Sequence, residues 1–562
     1  MREPERLAIS RVLGLVALIT TLVVTPWASY DPINAPKLAV VAVGGAISLV
    51  FLLLHCRELF AGDNRLVAIV SAVFIIDLVI VLFLSGTNFN QEFFGTVGRL
   101  TGFVAYVSLA SLLLMGVISA SIDVLHYLSK VFLITGGISI VYGLIQAGGM
   151  DPVKWSNPYS PVIGFSGNPN FQSSLVAFSA VMALALLFSS QSKIYSKIGL
   201  ALFIFLAIYV ISQTDSQQGY FVLVIGIAVI GLVFVYKSKL KALTPSLIVT
   251  GLIGLIFAIM GSLNSGPLAS ILHKASVIYR GDYWLAGWRM TVEHPVFGVG
   301  LDSYGDWYRR SRTLEASVRR GPDLTSNAAH NVLLDFSSTG GFPLLIIYLL
   351  LMVLVIRAAL KVLKRAPKFE PTFVGLVAVW VGYQGQSLIS LNQLGLAVWG
   401  WIISGLIIGY EINTRRANEV VKTPMVLKKG KVSASTAQQK VLPSTTVALF
   451  IGILVGLVAG LPPLLASSKY KSAIESGDPK VYASAADYFP QDFARAVQIS
   501  QTLENNGYKN EALSVIQRAS EAFPDSYEVW KVYSLLSTAT PAQVSVAKAQ
   551  MKRLDPNNPE LK

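Results

Sequence analysis

The sequence predicts an all-α protein: a polytopic membrane helix bundle of about 12–13 transmembrane helices, with a small helical domain outside the membrane. Of the 562 residues, 53% are hydrophobic and only 14% are charged, whereas an ordinary soluble domain has roughly 25% charged residues. Apolar runs long enough to cross a bilayer, which takes about 20 residues in a helix, recur along the chain. The composition excludes soluble globular, disordered, collagen-like and disulfide-rich proteins, and the single Cys56 has no partner for an intrachain disulfide.

Thirteen apolar segments are predicted to form the membrane helices. In chain order they are Val12–Ala28, Leu38–Leu54, Leu66–Leu84, Gly102–Ala120, Tyr127–Gln146, Phe171–Phe188, Ile198–Ile211, Phe221–Tyr236, Leu247–Leu263, Phe342–Val362, Phe373–Ile389, Leu394–Tyr410 and Val447–Ala466. The first segment has no nearby small-residue cleavage site and is followed by many similar segments. We therefore expect it to remain as a membrane anchor rather than to be removed as a signal peptide.

The positions of Lys and Arg predict the orientation of the bundle, because short cytoplasmic loops are enriched in these residues. If the N-terminus is cytoplasmic, the connections facing the cytoplasm are the basic ones: Arg57, Arg65, Lys130, Lys193, Lys197, Lys237, Lys239, Lys241, Arg357, Lys361, Lys364, Arg365 and Lys368. A further basic run follows the twelfth segment: Arg415, Arg416, Lys422, Lys428, Lys429, Lys431 and Lys440. The short outer loops contain only Lys37, Arg99 and Lys154. This alternation explains the net charge of +14 without a nucleic-acid partner.

These patterns divide the chain into four parts. We expect a transmembrane domain at residues 1–411, whose large extracytoplasmic loop spans about 264–336, then a basic cytoplasmic linker at 412–445, an additional transmembrane helix at 446–466 and an extracytoplasmic helical domain at 467–562.

The C-terminal part resembles tetratricopeptide repeats. Gly507, Ala512, Ala519 and Pro524 have the spacing of the turn glycine, packing alanines and closing proline of one unit. Trp530 and the Asp555-Pro556 pair fit a degenerate second unit. Such modules usually bind or dock a partner, and the alternative is a plain helical cap on the membrane domain.

The large outer loop is rich in basic residues: Lys274, Arg280, Arg289, Arg309, Arg310, Arg312, Arg319 and Arg320. Arginine presents a fixed fork of donors that suits phosphate oxygens, so an anionic ligand is one interpretation. The other interpretation is that these side chains pair with loop carboxylates, namely Asp282, Glu293, Asp302, Asp306, Glu315 and Asp323.

His330 and Asn331 end this loop where the tenth membrane segment approaches, so the imidazole is expected near the outer membrane surface. A histidine there can act as a general base near neutral pH, although a His-Asn pair alone is weak support. The sequence has no pattern typical of a metal centre and no phosphate-binding loop for ATP-driven transport. Tight turns are expected at Gly164–Asn170 and at His294–Gly300.

Together these motifs resemble the O-antigen ligase family, which also includes O-antigen polymerases and protein O-oligosaccharyltransferases. The resemblance covers roughly residues 10–410 and rests on Asn168-Pro169-Asn170, the turn Ser216–Gly219, Arg280 with Trp284, Pro295–Gly300, and His330-Asn331. Gly382–Gln386, Ser390, Trp399 and Gly400 also look like the closing helices of these proteins.

The resemblance implies a metal-independent, inverting glycosyltransferase of the GT-C type that needs no cofactor. Family members take a glycan from an undecaprenyl-diphosphate lipid on the outer face of the bacterial inner membrane and transfer it to an acceptor hydroxyl of a lipid, a glycan or a protein. His330 matches the histidine that activates the acceptor, and Arg280 matches an arginine that holds the diphosphate. Membrane lipids and, through the C-terminal domain, a protein are the other expected partners.

One motif departs from the family pattern. The turn after the seventh segment often contains a second arginine, but here it is Ser216-Gln217-Gln218-Gly219. Gln217 or Gln218 can still donate hydrogen bonds to phosphate oxygens, and Arg99 or Arg289 could supply the missing charge. With Asn170 and Asn331 from the matching motifs, these complete the predicted substrate-binding residues.

Two alternatives of another class stay open. A lipid-linked glycan transporter predicts ionisable residues within the membrane helices, yet Asp77 is the only acidic residue deep in a predicted segment. A scaffold within a larger assembly would tolerate loss of His330. The outer position of the polar motifs favours the enzyme.

Overall fold

The computed structural model describes residues 3–155, 160–190, 193–422 and 443–561. These ranges contain α-helices, short 3-10 turns and no strand, which confirms the predicted all-α class. The N-terminal part has eleven helices: α1 (Glu3–Leu22), α2 (Asn34–Leu54), α3 (Cys56–Leu59), α4 (Arg65–Leu84), α5 (Phe89–Phe94), α6 (Phe103–Ser119), α7 (Ile122–Ala147), α8 (Pro169–Leu187), α9 (Ile194–Gln213), α10 (Gln217–Lys237) and α11 (Thr244–Ser262).

Thirteen further helices follow along the described chain. The large outer loop forms α12 (Ala269–Leu272), α13 (Ala275–Glu293), α14 (Tyr304–Ser311) and α15 (Leu314–Arg320). The bundle closes with α16 (Val332–Arg365), α17 (Pro371–Ser387), α18 (Leu394–Lys422) and α19 (Pro443–Ser476). The tail contains α20 (Pro479–Ser484), α21 (Phe493–Asn505), α22 (Lys509–Ala522), α23 (Tyr527–Leu535) and α24 (Pro541–Leu554).

Within the described ranges, ten helical segments are long and apolar enough to cross a membrane, as expected of a polytopic bundle. They coincide with ten of the thirteen predicted segments. The other three predicted segments also lie on helices, namely α1, α6 and α17. Of these, α6 and α17 have only 17 residues each, and α1 begins nine residues before the predicted segment, at Glu3, in a charged stretch.

The centre of the bundle is formed by α2, α6, α8 and α18, whose side chains are mostly buried. At the opposite extreme, α11 has one buried residue, Gly261, and otherwise presents apolar side chains outward. A helix that is apolar all round and unburied by protein is suited to contact with lipid.

The last membrane helix, α19, packs closely against α2. Gly452, Gly456 and Gly460 lie one turn apart, and a Cβ at each would come within 2.4 Å of α2 atoms. Small residues at this spacing let two membrane helices approach closely.

The tail is a helical domain with its own apolar core, built from the antiparallel pairs α21–α22 and α23–α24. Gly507, with φ +85°, makes the turn between α21 and α22, and Ala512 and Ala519 are buried in that core. The tetratricopeptide assignment of this domain stays a prediction.

The predicted linker at 412–445 is described only in part. Helix α18 continues as far as Lys422, and residues 423–442, with the predicted basic positions Lys428, Lys429, Lys431 and Lys440, lie outside the described residues.

Candidate functional site

His330 lies at the end of the large outer loop, immediately before α16. Its backbone has φ +53°, in the left-handed region, where histidine is among the tolerated residue types. Asn331 caps α16, because its Oδ1 accepts hydrogen bonds from the N–H groups of Leu333 and Leu334 at 3.0 and 3.2 Å. The cap and the turn together hold the half-buried His330 side chain at the N-terminal end of this helix.

The His330 ring stacks on Tyr283 of α13, with ring centroids 5.5 Å apart. Arg320, the last residue of α15, donates a hydrogen bond to the Tyr283 hydroxyl and lies over the rings of Tyr279 and Tyr283 at 4.6 and 5.1 Å. Arg280 lies on the same helix as Tyr283, and no carboxylate pairs with it among the described residues. We call His330, Arg280, Tyr283 and Arg320 the His330 cluster.

The surroundings of His330 favour its neutral form. Burial lowers its pKa to about 4, and the positive charges of Arg280, Arg99 and Arg320 act in the same direction. Burial also lowers the pKa of Arg280. At neutral pH the cluster therefore combines a neutral imidazole with a guanidinium whose charge no carboxylate of the described residues balances.

Arg99 stands behind the His330 cluster and is itself buried. Its Nε lies 3.2 Å from Asp302 and its Nη2 lies 3.9 Å from Asp335, and its Nη1 donates to the carbonyl of Asn327. Burial opposes its charge, but the two carboxylates outweigh this effect and raise the pKa of Arg99. Asp335 also accepts a hydrogen bond from the Ala329 N–H at 2.8 Å, so this network fixes the turn that presents His330.

The predicted turn at Pro295–Gly300 packs against the start of α16. The Val299 N–H donates to the Ser338 carbonyl at 2.8 Å, and the Phe342 N–H donates to the Pro295 carbonyl at 2.9 Å. Two glycines permit this contact. A Cβ on Gly341 would lie 2.5 Å from the Val296 oxygen, and one on Gly298 would lie 2.3 Å from the Thr339 carbonyl carbon.

A short helix from the bundle fixes the other side of this loop. Glu92 of α5 accepts hydrogen bonds from the Leu301 N–H at 3.0 Å and from the Ser85 hydroxyl. The Thr87 hydroxyl donates to the Val299 carbonyl at 2.8 Å. Burial raises the pKa of Glu92 to about 7. The loop is thus clamped between α5 and α16.

The predicted residues Asn170, Gln217 and Gln218 form a second group. The Ser216 hydroxyl donates to Asn170 Oδ1 at 2.7 Å and accepts from the Gln218 N–H at 3.2 Å. Gln218 is buried, whereas Gln217 is exposed. Within the described chain, no hydrogen bond or ion pair joins this group directly to the His330 cluster.

Three other predicted substrate-binding residues are engaged within the protein. Arg99 is bound as described above, and Asn331 is the cap of α16. Arg289 donates to the Ser311 carbonyl at 3.3 Å. Their contact with a substrate stays a prediction.

The remaining loop arginines have protein partners, and most partners are in the tail. Arg319 pairs with Asp282 inside the loop, as the ion-pair interpretation expects. Three others pair instead with tail carboxylates: Arg309 with Glu528 and Asp555, Arg310 with Asp525, and Arg312 with Asp555.

Sequence reasoning missed several residues of this site. Tyr283 lies between the matched Arg280 and Trp284, so its spacing on α13 was a usable signal. The sequence contained no comparable signal for Asp335 and Glu92, because the loop and bundle residues that they contact are distant in sequence. No group of three or more His, Cys, Asp and Glu side chains that could hold a metal ion occurs in the part of the chain that the structure describes.

Comparison with known proteins identifies the central part of the chain. Residues 178–349 match the family model described as O-antigen ligase. This range contains Gln217, Gln218, Arg280 and His330. The match confirms the resemblance predicted from the motifs. A search of curated proteins finds no match.

Proposed function

We propose that this chain, of which residues 178–349 match the O-antigen ligase family model, is a glycosyltransferase of cell-surface polysaccharide assembly. The donor is a glycan linked to undecaprenyl diphosphate, and the acceptor is a hydroxyl group of a lipid, a growing glycan or a protein. The reaction takes place at the outer face of the bacterial inner membrane.

His330 serves as the general base. The acceptor oxygen bonds to the anomeric carbon while its proton moves to the imidazole, and the carbon–oxygen bond to the diphosphate breaks. The leaving diphosphate takes the bonding electron pair. Because attack and departure occur on opposite faces of the carbon, the product has inverted configuration.

Arg280 stabilises the diphosphate as its negative charge increases. Since no carboxylate in the described ranges pairs with it, the Arg280 guanidinium can direct its charge to phosphate oxygens, and in a half-buried site this interaction is stronger than in water. No step requires a metal ion.

One observation carries the proposal: inside the matched range, His330 stacks on Tyr283 and feels the charge of Arg280, which pairs with no carboxylate among the described residues. Tyr283 holds the imidazole by stacking, and Arg320 holds Tyr283. Gln217, which is exposed at the start of α10, is a candidate donor to the lipid-linked substrate.

The test compares wild type, His330→Ala and Arg280→Ala in membranes supplied with the lipid-linked glycan of the same cells. Glycan lost from the lipid and gained by an acceptor is measured with and without EDTA. We expect EDTA-resistant transfer in wild type, a loss of roughly 10²–10⁴-fold in His330→Ala and one of about 10²–10³-fold in Arg280→Ala.

Lys274→Ala is the matched control, since this exposed lysine belongs to the same loop and lies outside the His330 cluster. Full activity of His330→Ala would exclude the proposed base. Movement of the intact lipid across the bilayer without cleavage would replace transfer by transport.

A further inference from the structure

A cavity of about 220 Å³ lies between the bundle and the tail. Its walls come from the α1–α2 connection, from α5 with the loop that follows it, from α19 and from α21 of the tail. Its volume is below the range of about 300–1,000 Å³ that holds a drug-sized ligand. A small unit, such as a single sugar ring, is therefore a better fit than an extended chain.

The walls combine aromatic rings with hydrogen-bonding groups. Tyr30, Tyr470 and Phe493 line the cavity, and the rings of Tyr30 and Tyr470 lie 4.8 Å apart. The Tyr30 hydroxyl donates to Gln498 Oε1 at 2.7 Å, which leaves the Gln498 amide N–H groups available. Sugars have an apolar ring face and a polar edge, so this combination matches their chemistry.

The charge of the walls disfavours a phosphate ligand. Arg495 is the only Lys or Arg among the described lining residues, and its guanidinium donates to the carbonyls of Tyr488 and Pro490. Two carboxylates, Asp31 and Asp492, also line the cavity and would repel an anion. A neutral ligand rich in hydroxyl groups is the remaining fit.

The loop after α5, which lines the cavity, also carries Arg99, whose charge acts on His330. Thr96 lines the cavity, and its N–H donates to Asp302 Oδ2 at 2.8 Å. Asp302 Oδ1 in turn lies 3.2 Å from Arg99 Nε, and Arg99 is one of the charges that His330 experiences. This loop therefore links the cavity to the surroundings of His330, where the proposed reaction takes place.

We infer that this cavity is a glycan-binding subsite, which holds one sugar of a substrate away from the bond that reacts. The inference rests on the proposed function and extends it, because it gives the tail a part in substrate binding. Residues from the tail and from the bundle form the subsite together, so neither forms it alone.

The test introduces a larger side chain into the cavity and leaves the hydrogen bonds of its walls in place. Ala494 lines it and is exposed, so Ala494→Trp adds bulk at its edge without deleting a hydrogen bond. Ala549→Trp is the matched control, since Ala549 is an exposed alanine of α24 that does not line the cavity. The probe is the free glycan released by mild acid from the lipid-linked donor of the same cells.

Binding of this probe to the full chain in detergent is measured by saturation-transfer NMR and titration, with thermal unfolding as the folding check. We expect Ala494→Trp to weaken binding about tenfold and to raise KM with little change in kcat. Ala549→Trp should behave as wild type. Whether KM rises for the donor or for a glycan acceptor identifies which substrate occupies the cavity.

Equal binding of the probe by a folded Ala494→Trp variant and wild type would overturn the inference. His330→Ala separates this result from the proposed function, because it should bind the free glycan normally and transfer none. If wild type transfers no glycan but Ala494→Trp still weakens probe binding, the subsite stands and the proposed reaction does not.

Discussion

At the scale of single residues, the proposed function depends on how neighbouring groups shift the pKa of His330. An unperturbed imidazole is half protonated near pH 6.5, but burial and three arginines lower the pKa of His330 to about 4. His330, the proposed base, is therefore neutral throughout the physiological range in the absence of substrate. An anionic donor next to Arg280 would oppose the positive charges and raise this pKa in the complex.

The direction of this pKa shift determines how transfer is expected to depend on pH. We expect kcat/KM, which reports the free enzyme, to fall only as the pH drops through about 4. The acid limb of kcat should lie at higher pH, because the bound diphosphate favours the protonated imidazole. Arg320→Gln removes one positive neighbour and should move the kcat/KM limb upward by a few tenths to about one pH unit.

Arg319→Gln is the control for this profile, since Arg319 pairs with Asp282 and does not act on His330. Initial rates from pH 3.5 to 8 on rapidly mixed samples provide the measurement. An unmoved limb in Arg320→Gln would mean that another group controls the profile.

At the scale of elements, the break in α16 sets the position of the site. The sequence pattern predicts a membrane helix that begins at Phe342. The structure has the helix begin ten residues earlier, at Val332, with a non-helical residue at Gly341. The first turns of α16 therefore belong to the site and bind the Pro295–Gly300 loop, while the remainder crosses the membrane.

Gly341→Ala tests the importance of this break. The new Cβ would lie 2.5 Å from the Val296 oxygen, and φ +73° is unfavourable for alanine. We expect a loss of about 1–3 kcal/mol in the stability of the folded chain, measured as a lower unfolding temperature in detergent, together with reduced transfer.

Gly199→Ala provides the comparison, because that glycine lies within α9 with open space around it. It should be neutral or raise the stability by about 0.5–1 kcal/mol, as expected for glycine replaced by alanine in a helix. Equal effects of the two substitutions would contradict the close contact at Gly341.

At the scale of the whole molecule, the tail is joined by buried charges to the large loop that contains His330. Asp555 is fully buried, 2.6 Å from Arg312 and 3.4 Å from Arg309, whose side chains are also almost inaccessible to water. Lys531 and Asp323 form a more exposed pair near this contact. The tail therefore holds the segment that ends in Arg320, the residue that contacts Tyr283.

Asp555→Asn should loosen the contact between tail and loop. Removal of one partner from a buried ion pair typically costs about 3–5 kcal/mol, because the remaining charge stays buried without compensation. We expect faster tryptic cleavage after Arg309, Arg310 and Arg312, and a lower transfer rate. Asp487→Asn, in the exposed pair with Arg518 within the tail, should cause neither change.

Unchanged cleavage and activity in a folded Asp555→Asn variant would show that the tail does not hold the loop. The cleavage assay reports this contact without relying on transfer, so it remains informative whatever the acceptor is.

The sequence by itself predicted the membrane bundle, the large loop and the resemblance that the match of residues 178–349 to the O-antigen ligase family model supports. Apolar runs of about 20 residues are a local property, since each must bury its own backbone polar groups in a helix to cross the membrane. His330 and Arg280 could also be predicted as candidate site residues, because their motifs are contiguous in the sequence.

Only the tertiary structure decided which of the described arginines pair with a carboxylate and which do not. Arg280 and Arg312 belong to the same loop, but Arg312 is neutralised by Asp555, 243 positions away. Arg99 is bound to Asp302 across 203 positions of the chain and to Asp335, and its predicted contact with a substrate stays a prediction. Pairing between such distant segments depends on how helices pack, which leaves no periodic signal in the sequence. The electrostatics of the site, and hence the neutral state of His330, follow from that packing alone.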